Sequence, residues 1–375
     1  MRQDKTRQDK TRQDKTRQDK VIFVNNYAAA YGGNFLESFK YLADQLELMG
    51  IESIFIFPKG AKNKNWEVDL SRYKIYYTDW DIKNIQNILS KELTAQSIVH
   101  GNFISDKGII SIYKACEQKH AKLVIQDHML MENSGNLLKR SLRPIYKKRE
   151  HHKISKATKD EVNFIGVSEA VYQKLKSEYP KNKNIYCIDN AIALDRLTKY
   201  GDQKKDGILI FGTHFHRKGV DLAIKAIMAS SLREKVSLNV VTHDEKGCLA
   251  EIENLFGSKP DFVKIIPPTT NISEYYKKNF LFLSPSRAEA FGYSVVEAAY
   301  SGLSVICSNI PGQNTLKGIP GIIWTENENV GQLRDAIESA YENFPNKQLE
   351  DTRKYVEGKY SIQNWAKQVI NVYEK

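Results

Sequence analysis

Two glutamates, Glu289 and Glu297, stand in one short segment with seven residues between them. The apolar run Phe280–Ser284 precedes them and the apolar run Ser304–Cys307 follows them, and each run is typical of a buried parallel strand. The order therefore predicts a strand, a turn that holds Glu289, a helix that holds Glu297, and a second strand.

The tripeptide Phe291-Gly292-Tyr293 lies where this helix should begin. Gly292 permits a close backbone approach, and a helix N-terminus binds anions through its exposed N–H groups and its dipole. Two carboxylates beside an anion suit hydroxyl groups on either side of it, a sugar at one end and a ribose at the other. The alternative is structural, because Ser294 and Glu297 also fit a capping box and Glu289 fits a solvated turn residue.

The segment 280–312 resembles the glutamate signature of retaining GT-B glycosyltransferases of the family-four type, the glycosyl transferases group 1. In that family the first glutamate contacts the donor sugar and the second holds the nucleotide ribose. The resemblance implies these roles for Glu289 and Glu297. It also implies donor binding by four neighbouring residues: Phe291, Gly292, Tyr293 and Ser294.

The stretch from Phe211 to Asp221 resembles a second pattern of that family, in which an arginine and a lysine neutralise the donor diphosphate. Lys218 matches the family lysine, which implies catalysis and donor binding. Thr213 stands at the position of the arginine, and the adjacent Arg217 is the candidate substitute. The alternative is a surface lysine at a helix N-terminus, a placement that is unfavourable unless an anion is bound.

Two positions in the first half of the chain resemble family features. Gly33 follows the first predicted strand in a Gly-Gly pair and resembles the family's glycine-rich loop beside the donor diphosphate. His128 directly follows the strand Leu123–Gln126, where a histidine is usually partly exposed polar surface. The resemblance implies that His128 faces the donor sugar as a catalytic residue, and that His100 lines the acceptor side.

Strand and helix patterns alternate along the chain, which predicts parallel sheets covered by helices on both faces. We expect an α/β protein with two doubly wound, Rossmann-like domains facing an interdomain cleft, as in GT-B enzymes, with ligands at the carboxyl ends of the strands. The other strands are predicted from these runs: Val21–Val24, Ser53–Phe57, Ser97–His100, Phe164–Val167, Ile208–Phe211, Leu238–Val241, Val263–Ile266 and Gly321–Trp324.

The 375 residues are divided by these patterns into four parts. Residues 1–20 are a repetitive polar tail, 21–187 an acceptor-side domain, and 188–356 a nucleotide-sugar-binding domain. Residues 357–375 are predicted to form a helix that crosses back to the first domain. We find no secretory signal and no apolar run near the ~18 residues that span a bilayer, which predicts a cytoplasmic protein.

The net charge of +11 is concentrated in two segments. Residues 2–20 contribute +4 and residues 136–160 contribute +7, so the remainder is neutral. Such a distribution argues against a nucleic-acid-binding face. Segment 136–160 is compatible with a solvated surface helix, and equally with peripheral contact with an anionic membrane at its inner face.

The four cysteines are scattered and lack metal-ligand spacing, which predicts reduced structural thiols, with Cys187 and Cys307 in buried strands. We therefore expect neither a metal nor another cofactor, since the nucleotide sugar is a substrate.

The predicted function is transfer of a hexosyl or N-acetylhexosaminyl group from a nucleotide sugar, with UDP-sugar favoured. The acceptor class is a glycan, a lipid-linked sugar, or a cell-wall or capsule polymer. One alternative is a catalytically inactive glycosyltransferase-like binding subunit of a glycosylation complex. Another is a different GT-B enzyme, such as an epimerase or a phosphorylase-like protein.

Overall fold

The computed structural model describes residues 18–130, 137–200, 204 and 206–375, without the side chains of 137–146. Most of the predicted tail therefore lies outside the described residues. The described chain divides into two compact units. The first contains the residues up to Val167 together with Val171–Ile188 and Ala366–Lys375, and the second contains Ser168–Ala170 and Asp189–Trp365.

The first unit is built on a seven-stranded parallel sheet in the order β3-β2-β1-β4-β5-β6-β7. Its strands are β1 Lys20–Asn25, β2 Glu52–Pro58, β3 Lys74–Thr78, β4 Ser97–Asn102, β5 Lys122–Asp127, β6 Asn163–Gly166 and β7 Ile185–Cys187. Its helices are α1 Gly33–Leu48, α2 Ile82–Glu92, α3 Asp106–Lys119, α4 Leu137–Thr158 and α5 Glu169–Glu178.

The central strands of this sheet are buried on both faces, because helices cover a parallel sheet on both sides. Residues 21–25 of β1 are completely buried, as the uninterrupted apolar run predicts. Phe23 stacks on Phe55 of β2 with 4.9 Å between ring centroids and meets Phe39 of α1 edge-on at 5.5 Å. These rings fix α1 against the sheet and thereby set where the loop between β1 and α1 lies.

The second unit has a six-stranded parallel sheet in the order β10-β9-β8-β11-β12-β13. Its strands are β8 Gly207–Phe211, β9 Ser237–Val241, β10 Val263–Ile266, β11 Leu281–Ser284, β12 Ser304–Asn309 and β13 Ile322–Glu326. Its helices are α6 Phe215–Lys218, α7 Val220–Met228, α8 Glu245–Phe256, α9 Ser273–Lys277, α10 Tyr293–Ser301, α11 Pro311–Asn314, α12 Val330–Glu342 and α13 Leu349–Tyr360. The last helix, α14 Ile362–Glu374, has residues in both units.

Alternate residues of each strand in this unit enter separate apolar clusters, since side chains alternate across a strand. Leu281 and Leu283 of β11 pack with the α7 and α12 residues, whereas Phe282 packs with Val295 and Val296 of α10. Helix α10 is thereby held against one face of the sheet, with its first turn near the end of β11. The predicted α/β fold class and doubly wound sheets are confirmed.

Three details differ from the sequence-based expectations. Cys187 is exposed rather than buried, because β7 is a three-residue strand at the edge of its sheet, and Cys307 in the interior strand β12 is buried. Strand β3 was not predicted, since its sequence Lys-Ile-Tyr-Tyr-Thr is not an apolar run. Among the described residues, no helix combines the length and apolar character needed to cross a bilayer.

Candidate functional site

The strand order of the second sheet reverses between β8 and β11, and ligands of doubly wound sheets bind beyond the strand ends at such a point. The chain that leaves β8 forms the one-turn helix α6, which ends at Lys218. The chain that leaves β11 forms the loop that holds Glu289. The segments that carry the predicted site residues Arg217, Lys218 and Glu289 thus start from adjacent strands.

Lys218 and Arg217 converge on the same carboxylate oxygen of Glu289. The Lys218 ammonium hydrogen-bonds to Glu289 Oε1, and Arg217 Nη1 lies 3.6 Å from that oxygen. The Glu289 side chain is 12% exposed, so it is not the solvated turn residue of the alternative interpretation. Neighbours on the chain need not point the same way, and here the structure directs both cations to one group.

The placement of Lys218 corrects one expectation. Lys218 ends the four-residue helix α6 and directly precedes Gly219, the N-cap of α7 at φ +71°, but its side chain is 21% exposed and pairs with Glu289, so it is not a solvated surface lysine. A Cβ on Gly219 would lie 2.0 Å from the carbonyl oxygen of Pro285. Glycine is therefore required for α6 to lie this close to the loop that carries Glu289.

Arg287, which the sequence analysis did not single out, joins the same two segments. Its backbone N–H donates to the Arg217 carbonyl at 2.8 Å, and its guanidinium makes two 2.9 Å bonds to the Asp221 carboxylate. Burial raises the pKa of Asp221, but the hydrogen bonds and charge of Arg287 outweigh burial and lower it. This bidentate pair fixes the Glu289 loop against α7. In the sequence, the only indication of Arg287 was its position in the segment that leads to Glu289.

Helix α10 begins at Tyr293 with Gly292 as its N-cap, and no side chain caps this end. Gly292 has φ +106°, a conformation that a residue with a side chain rarely adopts. Tyr293 and Ser294 are half-buried in the first turn. Phe291 is buried in the core with its ring 5.7 Å from that of Tyr360, so any contact with a donor would use its backbone.

Glu297 lies in the second turn of α10 and is 5% exposed. Tyr276 of α9, which is completely buried, donates its hydroxyl to Glu297 Oε2 at 2.9 Å. Ser294 is not the N-cap, so the capping-box interpretation is wrong. Tyr276 is a site neighbour that sequence reasoning missed, because no motif connects α9 to α10.

Thr213, at the position of the family arginine, is exposed. It precedes His214, which has φ +66° and begins the turn into α6. Arg217, the candidate substitute for the family arginine, reaches the Glu289 carboxylate with its guanidinium.

In the first unit, the loop between β1 and α1 is closed by two side chains. The Tyr27 hydroxyl donates to the carbonyls of Tyr31 and Gly32 at 2.8 and 3.2 Å, and Trp66 Nε1 donates to the Ala29 carbonyl at 3.0 Å. Gly33 is the first residue of α1 and has φ +55°, with open space where a Cβ would lie. Backbone conformation, rather than crowding, favours glycine at this position.

His128 follows β5 and is half-buried. Its Nε2 lies 2.8 Å from the Asn102 side-chain oxygen, and its ring stacks on Phe103 at 4.5 Å. Burial lowers the pKa of His128 to about 4, although the Asp127 carboxylate acts in the opposite direction. His128 is therefore a neutral imidazole near pH 7.

His100 does not line an open surface. It is completely buried, its Nδ1 lies 2.6 Å from the Tyr373 hydroxyl, and its ring packs on Phe39 at 5.2 Å. Burial lowers its pKa to about 3. These contacts make His100 a core residue that anchors Tyr373, rather than an acceptor-side residue.

The described part of α4 has a buried face formed by His151, Ile154 and Thr158. Several of its cations take part in ion pairs, such as Lys147 with Asp106 at 3.1 Å. The predicted apolar residues of segment 136–160, with Leu137, Leu138, Leu142 and Ile145, lie outside the described side chains. Within the described residues, no cluster of three or more His, Cys, Asp or Glu residues could hold a metal ion.

Residues 205–343 match the family model described as Glycosyl transferases group 1. An uncharacterized 41.2 kDa protein in the cps region of Klebsiella pneumoniae is 24% identical over 206 residues, 52% of this chain and 56% of that protein. The lipopolysaccharide glucosyltransferase WaaG of Escherichia coli is 25% identical over 206 residues, 53% of this chain and 52% of that enzyme. The matches span about half the length of these two relatives.

The fold is also that of known glycosyltransferase structures. HepE from Anabaena, in complex with UDP-glucose, has a TM-score of 0.73 at 12% identity, covering 94% of this chain and 98% of that chain. The structure of WaaG has a TM-score of 0.64 at 17% identity, covering 92% of this chain and 98% of that chain. The predicted resemblance to glycosyl transferases group 1 and the GT-B Rossmann-like fold are confirmed.

Proposed function

We propose, from this family match and the site in the second unit, that the chain is a retaining glycosyltransferase that uses a nucleotide sugar. The convergence of Lys218 and Arg217 on Glu289 is the observation that carries the proposal. It combines two cations for a diphosphate with a carboxylate for sugar hydroxyls. The uncapped N-terminus of α10, three residues further along the chain, offers N–H groups to the same anion.

The reaction we propose is a front-face displacement. The bond between the anomeric carbon and the diphosphate oxygen breaks, and the acceptor hydroxyl oxygen bonds to the same face of that carbon. The hydroxyl proton passes to an oxygen of the departing phosphate. Lys218 and Arg217 stabilise the negative charge that develops on the leaving group, which is where fixed positive charge accelerates such a step most.

The remaining predicted residues bind the substrate in this scheme. Glu289 accepts hydrogen bonds from the donor sugar, Glu297 holds the ribose, and His128 contacts the transferred sugar. Gly33 and the first turn of α10 approach the diphosphate through their backbones. We expect the reaction to need neither a metal nor another cofactor. The nucleotide sugar is a substrate in this scheme.

A UDP-hexose or UDP-N-acetylhexosamine is the donor class we favour. HepE, which shares the fold, binds UDP-glucose, and WaaG, which shares sequence, is a lipopolysaccharide glucosyltransferase. We therefore propose an acceptor that is a glycan, a lipid-linked sugar or a cell-surface polymer. A role in polysaccharide biosynthesis on the cytoplasmic side of a bacterial membrane is consistent with that class.

The direct test is a panel of UDP-, GDP- and ADP-sugars. A donor at about 100 times its dissociation constant should stabilise the protein by ~2.7 kcal/mol, which a thermal shift detects. The stabilising donor is then incubated with oligosaccharide acceptors, and NMR of the product gives its anomeric configuration. An inverted product would contradict the retaining mechanism, and no stabilisation by any nucleotide sugar would contradict the donor class.

The exposed Thr213 at the family arginine position favours the second candidate, an inactive glycosyltransferase-like subunit that binds a glycan or a protein. An assay for slow hydrolysis of the stabilising donor, without acceptor, distinguishes the enzyme from the inactive binding subunit. Hydrolysis that disappears in Lys218→Ala supports the enzyme. Donor binding without hydrolysis or transfer supports the binding subunit.

We further propose that α4 contacts an anionic membrane surface. Lys148, Arg149, Lys153 and Lys156 are exposed in its described part, and an exposed cation near such a surface contributes about 1 kcal/mol. The solvated-helix alternative is kept, since ion pairs with Asp106 and Glu150 neutralise part of this charge.

A further inference from the structure

Three polar side chains form a hydrogen-bonded row at the carboxyl end of the first sheet. Asn25 ends β1 and is paired in register with Asn102, which ends β4. The Asn102 side-chain nitrogen donates to the Asn25 side-chain oxygen at 2.9 Å, and the Asn102 oxygen lies 2.8 Å from His128 Nε2. The row lies where the strand order reverses, between β1 and β4, which is where doubly wound sheets bind ligands.

Both asparagines are completely buried, and the structure orients the row so that Asn102 donates to Asn25. An amide donates only through its nitrogen and accepts only through its oxygen. With the Asn102 nitrogen directed to Asn25, its oxygen can only accept, so His128 must carry its proton on Nε2. The other ring nitrogen, Nδ1, is then an acceptor, and it has no hydrogen-bond partner in the part of the chain that the structure describes.

Aromatic rings fix the plane of the imidazole. Phe103 stacks on His128 at 4.5 Å with an interplanar angle of 23°, and Phe35 meets it edge-on at 5.5 Å. Phe103 has φ +57°, a strained conformation for an aromatic residue, and the Asn26 amide donates to its carbonyl at 3.4 Å. Residues in strained conformations of this kind cluster at ligand-binding sites.

The titratable groups that interact with His128 do not make it a cation. Asp127 precedes it, but Lys174 holds that carboxylate at 2.7 Å, and His100 is buried beneath with a pKa of about 3. Burial itself lowers the pKa of His128 to about 4. The geometry and these surroundings together leave a neutral imidazole whose Nδ1 has no hydrogen-bond partner among the described residues.

We propose that Asn102, held by Asn25, is a positioning residue that keeps His128 protonated on Nε2, so that Nδ1 accepts a hydrogen bond from a hydroxyl group of the bound sugar. The inference rests on the proposed function for its ligand, but the protonation state is a property of the protein alone. It assigns His128 the role of a neutral acceptor rather than that of a cation or a proton donor.

The first test is ¹⁵N NMR of histidine side chains in the full chain, with the His128 signals identified by their loss in His128→Gln. We expect a pure Nε2–H tautomer that titrates below about pH 5. In Asn102→Leu we expect a tautomer mixture. Wild-type protein with the proton on Nδ1, or with the same mixture as Asn102→Leu, would overturn the proposal.

Asn102→Asp is the matched variant, since it keeps size and shape and provides a test if Asn102→Leu does not fold. A carboxylate beside Nε2 favours the imidazolium, so the titration midpoint should rise by at least about one unit. An unchanged midpoint would contradict direct contact between residues 102 and 128. These two measurements stand even if no nucleotide sugar proves to be a substrate.

The activity test measures the pH dependence of kcat/KM with the nucleotide sugar that stabilises the protein in the donor panel. In Asn102→Asp, protonation of His128 removes the acceptor, so we expect kcat/KM to fall about twofold at the new midpoint and about tenfold one pH unit below it, and to recover as the pH rises above the midpoint. A loss that is the same at every pH would indicate a merely structural role and would overturn the positioning role.

Discussion

The two sheets end in chemically opposite surroundings at equivalent points of their topology. At the β1–β4 reversal of the first sheet, the described row of Asn25, Asn102 and His128 consists of groups that are neutral near pH 7. At the β8–β11 reversal of the second sheet they include Lys218 and Glu289, an ion pair joined by a second cation.

Under the proposed function, one topology serves two kinds of ligand. Fixed positive charge attracts phosphate groups strongly, so the second unit is suited to the diphosphate of a nucleotide. Neutral donors and acceptors bind hydroxyl groups and discriminate by geometry, so the first unit is suited to a sugar. The fold supplies the position in both cases, and the side chains beyond the strands supply the chemistry.

Removing the charge of the second site should have the largest effect. Lys218→Ala is expected to lower kcat by about 10²–10³-fold and to weaken nucleoside binding little, because the charge matters most as the diphosphate leaves. Transfer rates with the stabilising donor and calorimetric binding of the nucleoside measure the two effects separately.

Lys264→Ala, which changes an exposed lysine of β10, is the control for that variant. Arg217→Ala completes the set, because a comparable loss of kcat would assign to Arg217 the role of the family arginine. Full activity in Lys218→Ala would show that the Lys218 charge takes no part in the mechanism. It would also contradict the idea that the second sheet binds the diphosphate through fixed positive charge.

The next effect concerns Glu297, the carboxylate buried in the second turn of α10. Glu297→Ala should weaken donor binding by ~1–3 kcal/mol, about 5- to 150-fold in Kd, because ribose hydroxyls lose their acceptor. Tyr276→Phe keeps the carboxylate but removes its 2.9 Å hydrogen bond, so a smaller increase is expected. Thermal unfolding distinguishes a purely structural role, in which both variants lose stability and bind the donor normally.

The third prediction concerns the positive charge of the first unit, which lies on α4 rather than on the polar residues at the sheet end. Neutralising Lys147, Lys148 and Arg149 should weaken binding to anionic vesicles more than deleting residues 2–17, because α4 also carries apolar residues in its sequence and the deletion leaves β1 intact. Both changes should leave transfer to a short soluble acceptor intact.

Vesicle co-sedimentation at low and at physiological salt measures this effect, with zwitterionic vesicles as the control. Wild-type protein that stays in the supernatant at both salt concentrations would show that α4 is a solvated helix. The membrane proposal would then be abandoned, and the charged site in the second unit would be unaffected.

The last prediction concerns stability rather than binding or catalysis. Burial raises the pKa of Glu178, which lies 3.7 Å from His151, from 4.5 to about 7. The folded state therefore binds this proton more tightly than the unfolded state, and the contribution is lost as the pH rises from 4.5 to about 7. Glu178→Gln should flatten that decline.

Urea unfolding at about pH 5 and about pH 7.5 measures the decline, with the exposed Glu274→Gln as the control. Burial also lowers the pKa of His151, whose stability contribution is lost as the pH falls, a direction opposite to that of Glu178. An identical pH dependence in wild type and Glu178→Gln would show that Glu178 titrates normally.

Much of the fold follows from local sequence. Short apolar runs such as Val21–Val24 and Phe280–Ser284 predict buried parallel strands in an alternating chain, and β1 and β11 lie there. Strand β3 escaped prediction because an edge strand needs no apolar run. Cys187 was misjudged for the same reason, since sequence does not state which strand lies at the edge.

The sequence by itself determined the fold class, the family resemblance and the candidates Lys218, Glu289, Glu297 and His128, because motif and strand order are local. The contacts of Asn102 and Tyr276 were decided only by the tertiary structure. They reach His128 and Glu297 from other elements of the fold, at sequence separations of 26 and 21 residues. A hydrogen bond between distant elements depends on strand order and helix packing, and no periodicity along the chain records it.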